Sequence, residues 1–121
     1  EGGIEAMEAL LDAGADVNAR LLSNGTTPLQ WATCEAQREA VELLIHRGAD
    51  VNMRDHNLRW IALHWAACVD ANISRILLEA GSDITAKSRD GQTALHLSAL
   101  HGNAGSASEL IARGAVVQVK D

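Results

Sequence analysis

LLIHRGADVN (residues 43–52) joins an apolar, helix-like run to a glycine and then to a short polar stretch. The glycine stands where a helix commonly ends in a left-handed conformation. A chain that repeats such a helix end at a fixed period is built from repeated structural units. The related stretches are LLDAGADVN ending at Asn18, LLEAGSDIT ending at Thr85 and LIARGAVVQ ending at Gln118, with glycines at 14, 48, 81 and 114 that are 34, 33 and 33 residues apart.

A second pattern lies between successive glycines and predicts the start of another helix. Thr27 and Thr93 stand where a hydroxyl can accept a backbone N–H, and Pro28 suits the first helical position. Apolar residues at helical spacing then predict an inner and an outer helix in each unit. The stretches are TPLQWAT (27–33), IALHWAA (61–67) and TALHLSA (93–99), and the predicted helices are an outer helix at 3–13 and inner–outer pairs near 28–46, 62–80 and 94–112.

The period of about 33 residues, the T-P-L-H-like tetrapeptide and the G-A-D-V-N junction resemble ankyrin repeats. The resemblance implies an α-helical repeat solenoid, a curved stack in which a β-hairpin or loop precedes each antiparallel helix pair. It also implies two contact surfaces, the loops at about 19–26, 53–60 and 86–92 (the fingers) and the exposed face of the inner helices (the palm). We expect one ankyrin-repeat domain over residues 1–121, with a partial repeat at 1–13, repeats at about 14–47, 48–80 and 81–113, and the start of a further repeat at 114–121.

The composition and the absence of known motifs argue against several classes of function. Hydrophobic residues make up 47% of the 121 residues and aromatic residues only 2%, so the core must consist of many small contacts, which suits an elongated array. The net charge of −6 argues against nucleic acid or an acidic membrane as a partner, and no long apolar run predicts a transmembrane helix. Because no hydrolase, zinc-protease or phosphate-loop motif is present, we expect no enzyme activity and no cofactor.

The histidines and cysteines predict structural roles rather than a metal site or a disulfide. His64 and His96 occupy equivalent positions in consecutive units, and so do Cys34 and Cys68. Equivalent side chains on packed helices lie about 8–10 Å apart, too far for shared metal bonds or an S–S bridge. The resemblance implies that this histidine ties its loop to the next repeat. Free thiols fit a reducing compartment, so we expect a cytoplasmic or nuclear location.

Asn18 and Asn52 end the two GADVN junctions and have two interpretations. The resemblance implies a substrate pattern for the asparaginyl hydroxylases that act on ankyrin proteins. The simpler interpretation, which we favour, is that each asparagine helps to close its hairpin.

The fingers concentrate positive charge on a negatively charged chain. Arg20, Arg54, Arg59, Lys87 and Arg89 fall in the fingers, with only two aspartates there to oppose them. Complementary charge steers association, so we expect a protein or peptide partner with acidic residues and apolar anchors. The residues predicted to bind this partner are Arg20, Leu22, Arg54, His56, Arg59, Trp60, Trp65, Val69, Arg89, Leu100 and His101.

The tryptophans have different predicted roles. Trp31 and Trp65 share one position of consecutive inner helices, where packing is the simplest role, whereas Trp60 lies at the base of a finger and is predicted to contact the partner. The inner helices are similar to those of palmitoyltransferases and of histone-lysine methyltransferases, and the latter resemblance implies a methyl-lysine cage. Trp60 and Trp65 match the cage spacing, but Cys68 and Leu97 replace its other members.

Three departures from the repeat pattern predict local weaknesses. Ile61 replaces the capping threonine, at a cost of about 1 kcal/mol, and Gln30 replaces the motif histidine. The last outer helix contains Gly105 and two serines, so we expect the C-terminal repeat to open first.

The most direct functional interpretation is a non-enzymatic protein-interaction module that binds a segment of another protein. Two alternatives stay open, a methyl-lysine peptide reader and a targeting or spacer segment of a larger protein. Neither end carries a polar capping repeat, so we expect a monomeric slice of a longer array.

Overall fold

The fold is a stack of short helices joined by turns. The computed structural model describes residues 2–21 and 23–115, and this part of the chain contains no β-strand. The predicted further repeat at 114–121 lies outside these residues except for its first two. The helices are α1 (Gly2–Asp12), α2 (Pro28–Cys34), α3 (Arg38–His46), α4 (Ala62–Val69), α5 (Ala71–Glu79), α6 (Ala94–Leu100) and α7 (Ala104–Ala112).

The helices form an inner and an outer layer. The inner helices α2, α4 and α6 pack against one another in order, and each packs on the outer helix that follows it. This arrangement confirms the predicted α-helical repeat solenoid. None of the described helices is long and apolar enough to cross a membrane. The largest buried apolar side chains come from both layers and include Leu29, Val41, Leu44, Leu63, Ile73, Leu77, Leu97 and Leu110.

The fingers are tight loops rather than two-stranded hairpins. One or two backbone hydrogen bonds close each finger within the described residues, and so few bonds hold too few residues in register to form strands. The hairpins implied by the resemblance are therefore present as turns. The closing bonds run from Leu21 N–H to Thr26 O (2.6 Å), from Asp55 N–H to Trp60 O (2.9 Å) and from Ser88 N–H to Gln92 O (2.8 Å).

The starts of the inner helices differ as the sequence predicted. Thr27 accepts the Gln30 N–H at 3.3 Å, and the Gln30 carbonyl oxygen Oε1 accepts the Thr27 N–H at 3.1 Å. Ile61 has no hydroxyl and makes no side-chain cap, which confirms the predicted loss. His64 offsets part of this loss, because its Nδ1 accepts the Ile61 N–H at 2.9 Å.

The turn from the inner to the outer helix has a different backbone structure in each of the three repeats. The third repeat uses Gly102 at φ +69°, a left-handed conformation that glycine adopts without strain. The first repeat places Ala36 at φ +55°, which costs an L-residue roughly 1 kcal/mol. The second repeat omits the residue, so Asp70 both ends α4 and caps α5 by accepting the Asn72 and Ile73 N–H groups.

The small residues of α7 have a packing role that the sequence did not reveal. A Cβ at Gly105 would lie 2.8 Å from the Ala71 Cβ, so glycine permits this close approach of α7 to α5. The buried hydroxyls of Ser106 and Ser74 form a hydrogen bond of 2.9 Å between the same helices. Gly105 and Ser106, which predict a weak helix, therefore support the packing of α7 against α5. Whether the C-terminal repeat opens first stays a prediction.

Candidate partner-binding surface

Three of the finger arginines tie neighbouring fingers together through backbone carbonyls. Arg20 donates to Gly25 O (2.7 Å) and to Arg54 O in the next finger (2.9 Å). Arg54 in turn donates to Arg59 O (2.7 Å) and to Lys87 O in the third finger (2.6 Å). The sequence predicted partner contacts for Arg20 and Arg54, and the structure adds this internal role.

The third finger reaches back to the second. Arg89 donates from its side chain to His56 O at 3.0 Å and from its backbone N–H to Leu58 O at 2.8 Å. Since a backbone carbonyl carries no net charge, these bonds position the guanidinium groups without neutralising them. Arg20 and Arg89 are exposed, and Arg54 is half-buried.

The second finger is a rigid loop built around one buried carboxylate. Asp55 is only 3% exposed, and its Oδ1 accepts the N–H groups of Asn57, Leu58 and Arg59 at 3.1, 2.9 and 2.9 Å. These bonds hold Arg59 at φ +61°. Leu58 is 37% exposed at this tip, and it was not among the predicted contact residues because no equivalent residue in another repeat marks its position.

His64 links the second repeat to the third, as the resemblance implied. Its Nδ1 accepts from Ile61, so its Nε2 carries the proton and donates to Ala86 O at 3.1 Å. Burial lowers the pKa of the His64 imidazole below its usual value, chiefly through desolvation of the charged form. In the first repeat Gln30 performs the same task, because its Nε2 donates to Met53 O at 2.8 Å.

Trp60 and Trp65 contact each other. Their ring centroids are 4.6 Å apart with the edge of one indole against the face of the other, and Trp60 also lies 5.8 Å from the His64 ring. Trp60 is half-buried and packs against the core, so it has a packing role that its position at a finger base did not predict. This edge-to-face contact is typical of packing and does not favour a methyl-lysine cage.

Apolar side chains are exposed at several palm positions. Val69 is 42% exposed one helical turn after the half-buried Trp65 on α4, and Leu100 is 69% exposed at the end of α6, next to the exposed His101. The predicted contact Leu22 lies outside the described residues.

Trp31 differs from its repeat equivalent Trp65. It is 46% exposed, and it lines an apolar groove at the N-terminal end of the stack together with Met7, Leu21 and Pro28. The predicted role of Trp31 as a packing residue between inner helices therefore holds for only part of its surface.

Asn18 and Asn52 connect successive junctions. The Asn18 Oδ1 accepts the Asp50 N–H at 2.8 Å, and the Asn52 Oδ1 accepts the Asp83 N–H at 2.7 Å. Each asparagine thus reaches the next repeat instead of closing its own hairpin, which corrects the simpler interpretation.

Asp83 accepts the backbone and side-chain donors of Thr85, and these bonds lower the pKa of the Asp83 carboxyl.

The cysteines do not form a reactive pair. Cys34 is exposed, Cys68 is half-buried, and both are free thiols. Burial raises the pKa of the Cys68 thiol, which keeps it protonated. Within residues 2–21 and 23–115, no group of three histidine, cysteine, aspartate or glutamate side chains could hold a metal ion.

Charge is distributed unevenly between the two sides of the stack. The four ion pairs found in the described part of the chain all lie on the outer helices or at their ends: Arg47 with Asp12, Arg75 with Glu79, and Arg113 with Glu79 and Glu109. No ion pair of the described residues includes a finger arginine or Lys87. Among the described residues, the finger side therefore presents cations that are not engaged in ion pairs.

A comparison with known families accounts for the architecture. The family model described as "Ankyrin repeats (3 copies)" matches residues 1–55 and 54–121. The chain belongs to the ankyrin-repeat family. No curated protein matches the sequence. Ankyrin repeats are generally protein–protein interaction modules and are typically non-catalytic.

The ankyrin stack brings together only some of the predicted contact residues. The fingers carry Arg20, Arg54, His56, Arg59 and Arg89 in one hydrogen-bonded row. Trp60 and Trp65 form a separate cluster against His64, and Val69, Leu100 and His101 lie at the ends of inner helices. A partner that uses all of them would contact both the fingers and the palm.

Proposed function

We propose that this ankyrin-repeat chain binds a segment of another protein along its fingers and palm, through acidic residues and apolar anchors of that segment. The repeats at about 14–47, 48–80 and 81–113 would act together as one binding unit. The observation that carries the proposal is the row of finger cations that donate to backbone carbonyls while the ion pairs of the described residues lie on the outer helices.

The positioning of the finger cations supports an acidic partner. Each guanidinium bonded to a carbonyl keeps its full charge and has already lost much of its conformational freedom. Binding of a carboxylate to such a group costs less conformational entropy than binding to a mobile arginine, because the arginine side chain is already ordered. Arg59 and Lys87 are exposed in the same fingers and add to the field. Since the chain as a whole carries −6, this local field gives the partner an orientation.

The apolar contacts complete the proposed surface. The exposed apolar residues are Leu58 at the second fingertip and Val69 and Leu100 on the palm. Trp65, one helical turn before Val69 on α4, is half-buried. Exposed apolar side chains beside arginines are common at the energetic centres of interfaces. The structure favours Trp65 over Trp60 as the tryptophan that a partner touches, because Trp60 packs against the core. No specific observation favours the methyl-lysine, hydroxylation or spacer interpretations.

The proposal is tested by selecting binders from a displayed library of random peptides. We expect the selected peptides to be enriched in aspartate and glutamate next to leucine or aromatic residues. The double variant Arg59→Glu, Lys87→Glu should weaken them at least tenfold. The double variant Arg38→Glu, Arg113→Glu is the matched control, because it makes the same change of net charge at exposed residues of the outer-helix side and should leave binding unchanged. Equal losses for both variants, or peptides without acidic residues, would overturn the proposal.

A further inference from the structure

A shallow, open polar cleft lies between the tips of the first two fingers. Ser23, Asn24, His56 and Asn57 line this cleft, and all four are exposed. A backbone hydrogen bond joins the two fingers at this cleft, in which the His56 N–H donates to Asn24 O at 2.7 Å. Gly25 is required beside it, since its φ is +82° and a Cβ there would lie 2.9 Å from the His56 ring.

The side chains of the cleft have donor groups to offer. The Asn24 Oδ1 already accepts the Thr26 N–H at 3.1 Å and the Thr26 hydroxyl at 2.7 Å, which leaves the Asn24 amide NH₂ for a ligand. The Ser23 hydroxyl and the Asn57 amide are further donors of the same kind. The Asn24 amide in particular can only donate, because its oxygen is already engaged, so it suits a ligand that accepts hydrogen bonds.

The charges around the cleft favour an anion. The Arg20 guanidinium is bonded to Gly25 O, and the Arg89 guanidinium is bonded to His56 O, so a cation adjoins each finger at the cleft. The nearest acidic residue in sequence, Asp55, is buried and committed to three backbone N–H groups. The third finger differs, because it is one residue shorter and carries Asp90 at its tip.

We propose that this cleft binds the side-chain carboxylate of an aspartate or glutamate of the partner. The donors of Ser23, Asn24 and Asn57 would hold the carboxylate oxygens, and the guanidinium groups of Arg20 and Arg89 would supply the electrostatic attraction. The assignment rests on the proposed function for its biological partner, and it names one anchor point within the larger surface. The hydrogen bonds from these donors to the carboxylate would be charge-assisted, and such bonds are stronger than hydrogen bonds between neutral groups.

The test is an NMR titration of the folded chain with blocked tripeptides. The probes are Ac-Gly-Glu-Gly-NH₂, its neutral analogue Ac-Gly-Gln-Gly-NH₂, and Ac-Gly-Gln-Gly-OH, which offers a main-chain carboxylate instead. We expect saturable shifts of the backbone amides at 23–26 and 56–58 with the glutamate probe alone. Equal shifts with the glutamine amide, or shifts spread evenly over all arginines, would overturn the proposal. Stronger binding of Ac-Gly-Gln-Gly-OH would overturn the choice of a side-chain carboxylate.

Two matched variants make the test specific. Asn57→Ala should weaken the glutamate probe roughly tenfold, the change expected when one hydrogen bond to a charged group is lost. Asn72→Ala removes an exposed asparagine from the outer helix α5 and should have no effect. Neither variant changes the net charge. If Asn57→Ala has no effect while selected peptides still depend on Arg59 and Lys87, the cleft assignment fails and the broader proposed function stands.

Discussion

The finger side and the outer-helix side of the stack use arginine differently. On the outer helices Arg75 and Arg113 pair with exposed carboxylates, and such pairs are worth only a few tenths of a kcal/mol because water screens them. In the fingers Arg20 and Arg54 donate to backbone carbonyls of neighbouring repeats. Both uses connect repeats, since Arg113 also reaches Glu79 of the preceding repeat, but the outer-helix contacts are ion pairs screened by water, whereas the finger contacts are hydrogen bonds to the main chain. The stability of the stack should therefore depend on the loop side, and each prediction below tests this difference.

The largest effect is expected at His64. His64→Ala leaves the Ile61 N–H and Ala86 O without their partner and opens a cavity, so it should lower the free energy of unfolding by about 3 kcal/mol. His64→Gln is the matched control, because Gln30 makes the equivalent bonds in the first repeat. Urea denaturation measures both variants. Similar losses for the two substitutions would show that the hydrogen bonds contribute little.

The second effect is a dependence of stability on pH. Burial lowers the pKa of His64 in the folded chain, so folding favours its neutral form. Above the ordinary imidazole pKa of about 6.5 both states are neutral and the stabilisation is complete. As the pH falls below that value, the unfolded chain binds the proton first and stability decreases. The depressed pKa of Asp83 adds a further loss at lower pH, in the same direction.

His64→Gln separates these two contributions. In unfolding experiments across the acidic range, this variant should lose stability only at the lower pH where Asp83 titrates. An unchanged pH profile would mean that protonation of His64 does not cause the first loss of stability.

A smaller effect is expected for the arginines themselves. Arg54→Ala removes two bonds to carbonyls from a half-buried side chain and should cost about 1–2 kcal/mol. Arg75→Ala removes an exposed pair within one helix and should cost less than about 0.5 kcal/mol. Thermal unfolding at low and high salt checks the mechanism. High salt should abolish the effect at Arg75 and retain that at Arg54, and the reverse pattern would contradict the comparison.

The last predicted change is a gain in stability. The Ser82 hydroxyl is buried and is a side-chain polar atom of the described residues without a hydrogen-bond partner, whereas the equivalent junction residues Ala15 and Ala49 are alanine. Ser82→Ala should therefore raise the free energy of unfolding by about 1 kcal/mol. Ser88→Ala is the control, because the Ser88 hydroxyl accepts the Gln92 N–H and its loss should destabilise the third finger. A loss of stability in Ser82→Ala would mean that the hydroxyl is bonded to water.

The sequence predicted the helices well and the roles of the loop residues poorly. The glycine period and the spacing of Leu29 and Leu63 determine local structure, which short-range pattern can reveal. The partners of Arg20 and Asn18 lie in the next repeat, 34 and 32 residues away, so they follow from the stacking of repeats and not from any local motif. Trp60 illustrates the same limit, because only the folded chain places its ring against Trp65.

The connections between repeats have a consequence for how such a chain can change. Arg54, Gln30 and His64 donate to main-chain carbonyls of the following repeat, which every residue has, and Asn52 accepts a main-chain N–H, which every residue except proline has. One unit can therefore accept a neighbour of different sequence without losing these links. Duplication, exchange and rapid divergence of single units become compatible with folding, and the exposed positions are free to acquire new recognition properties.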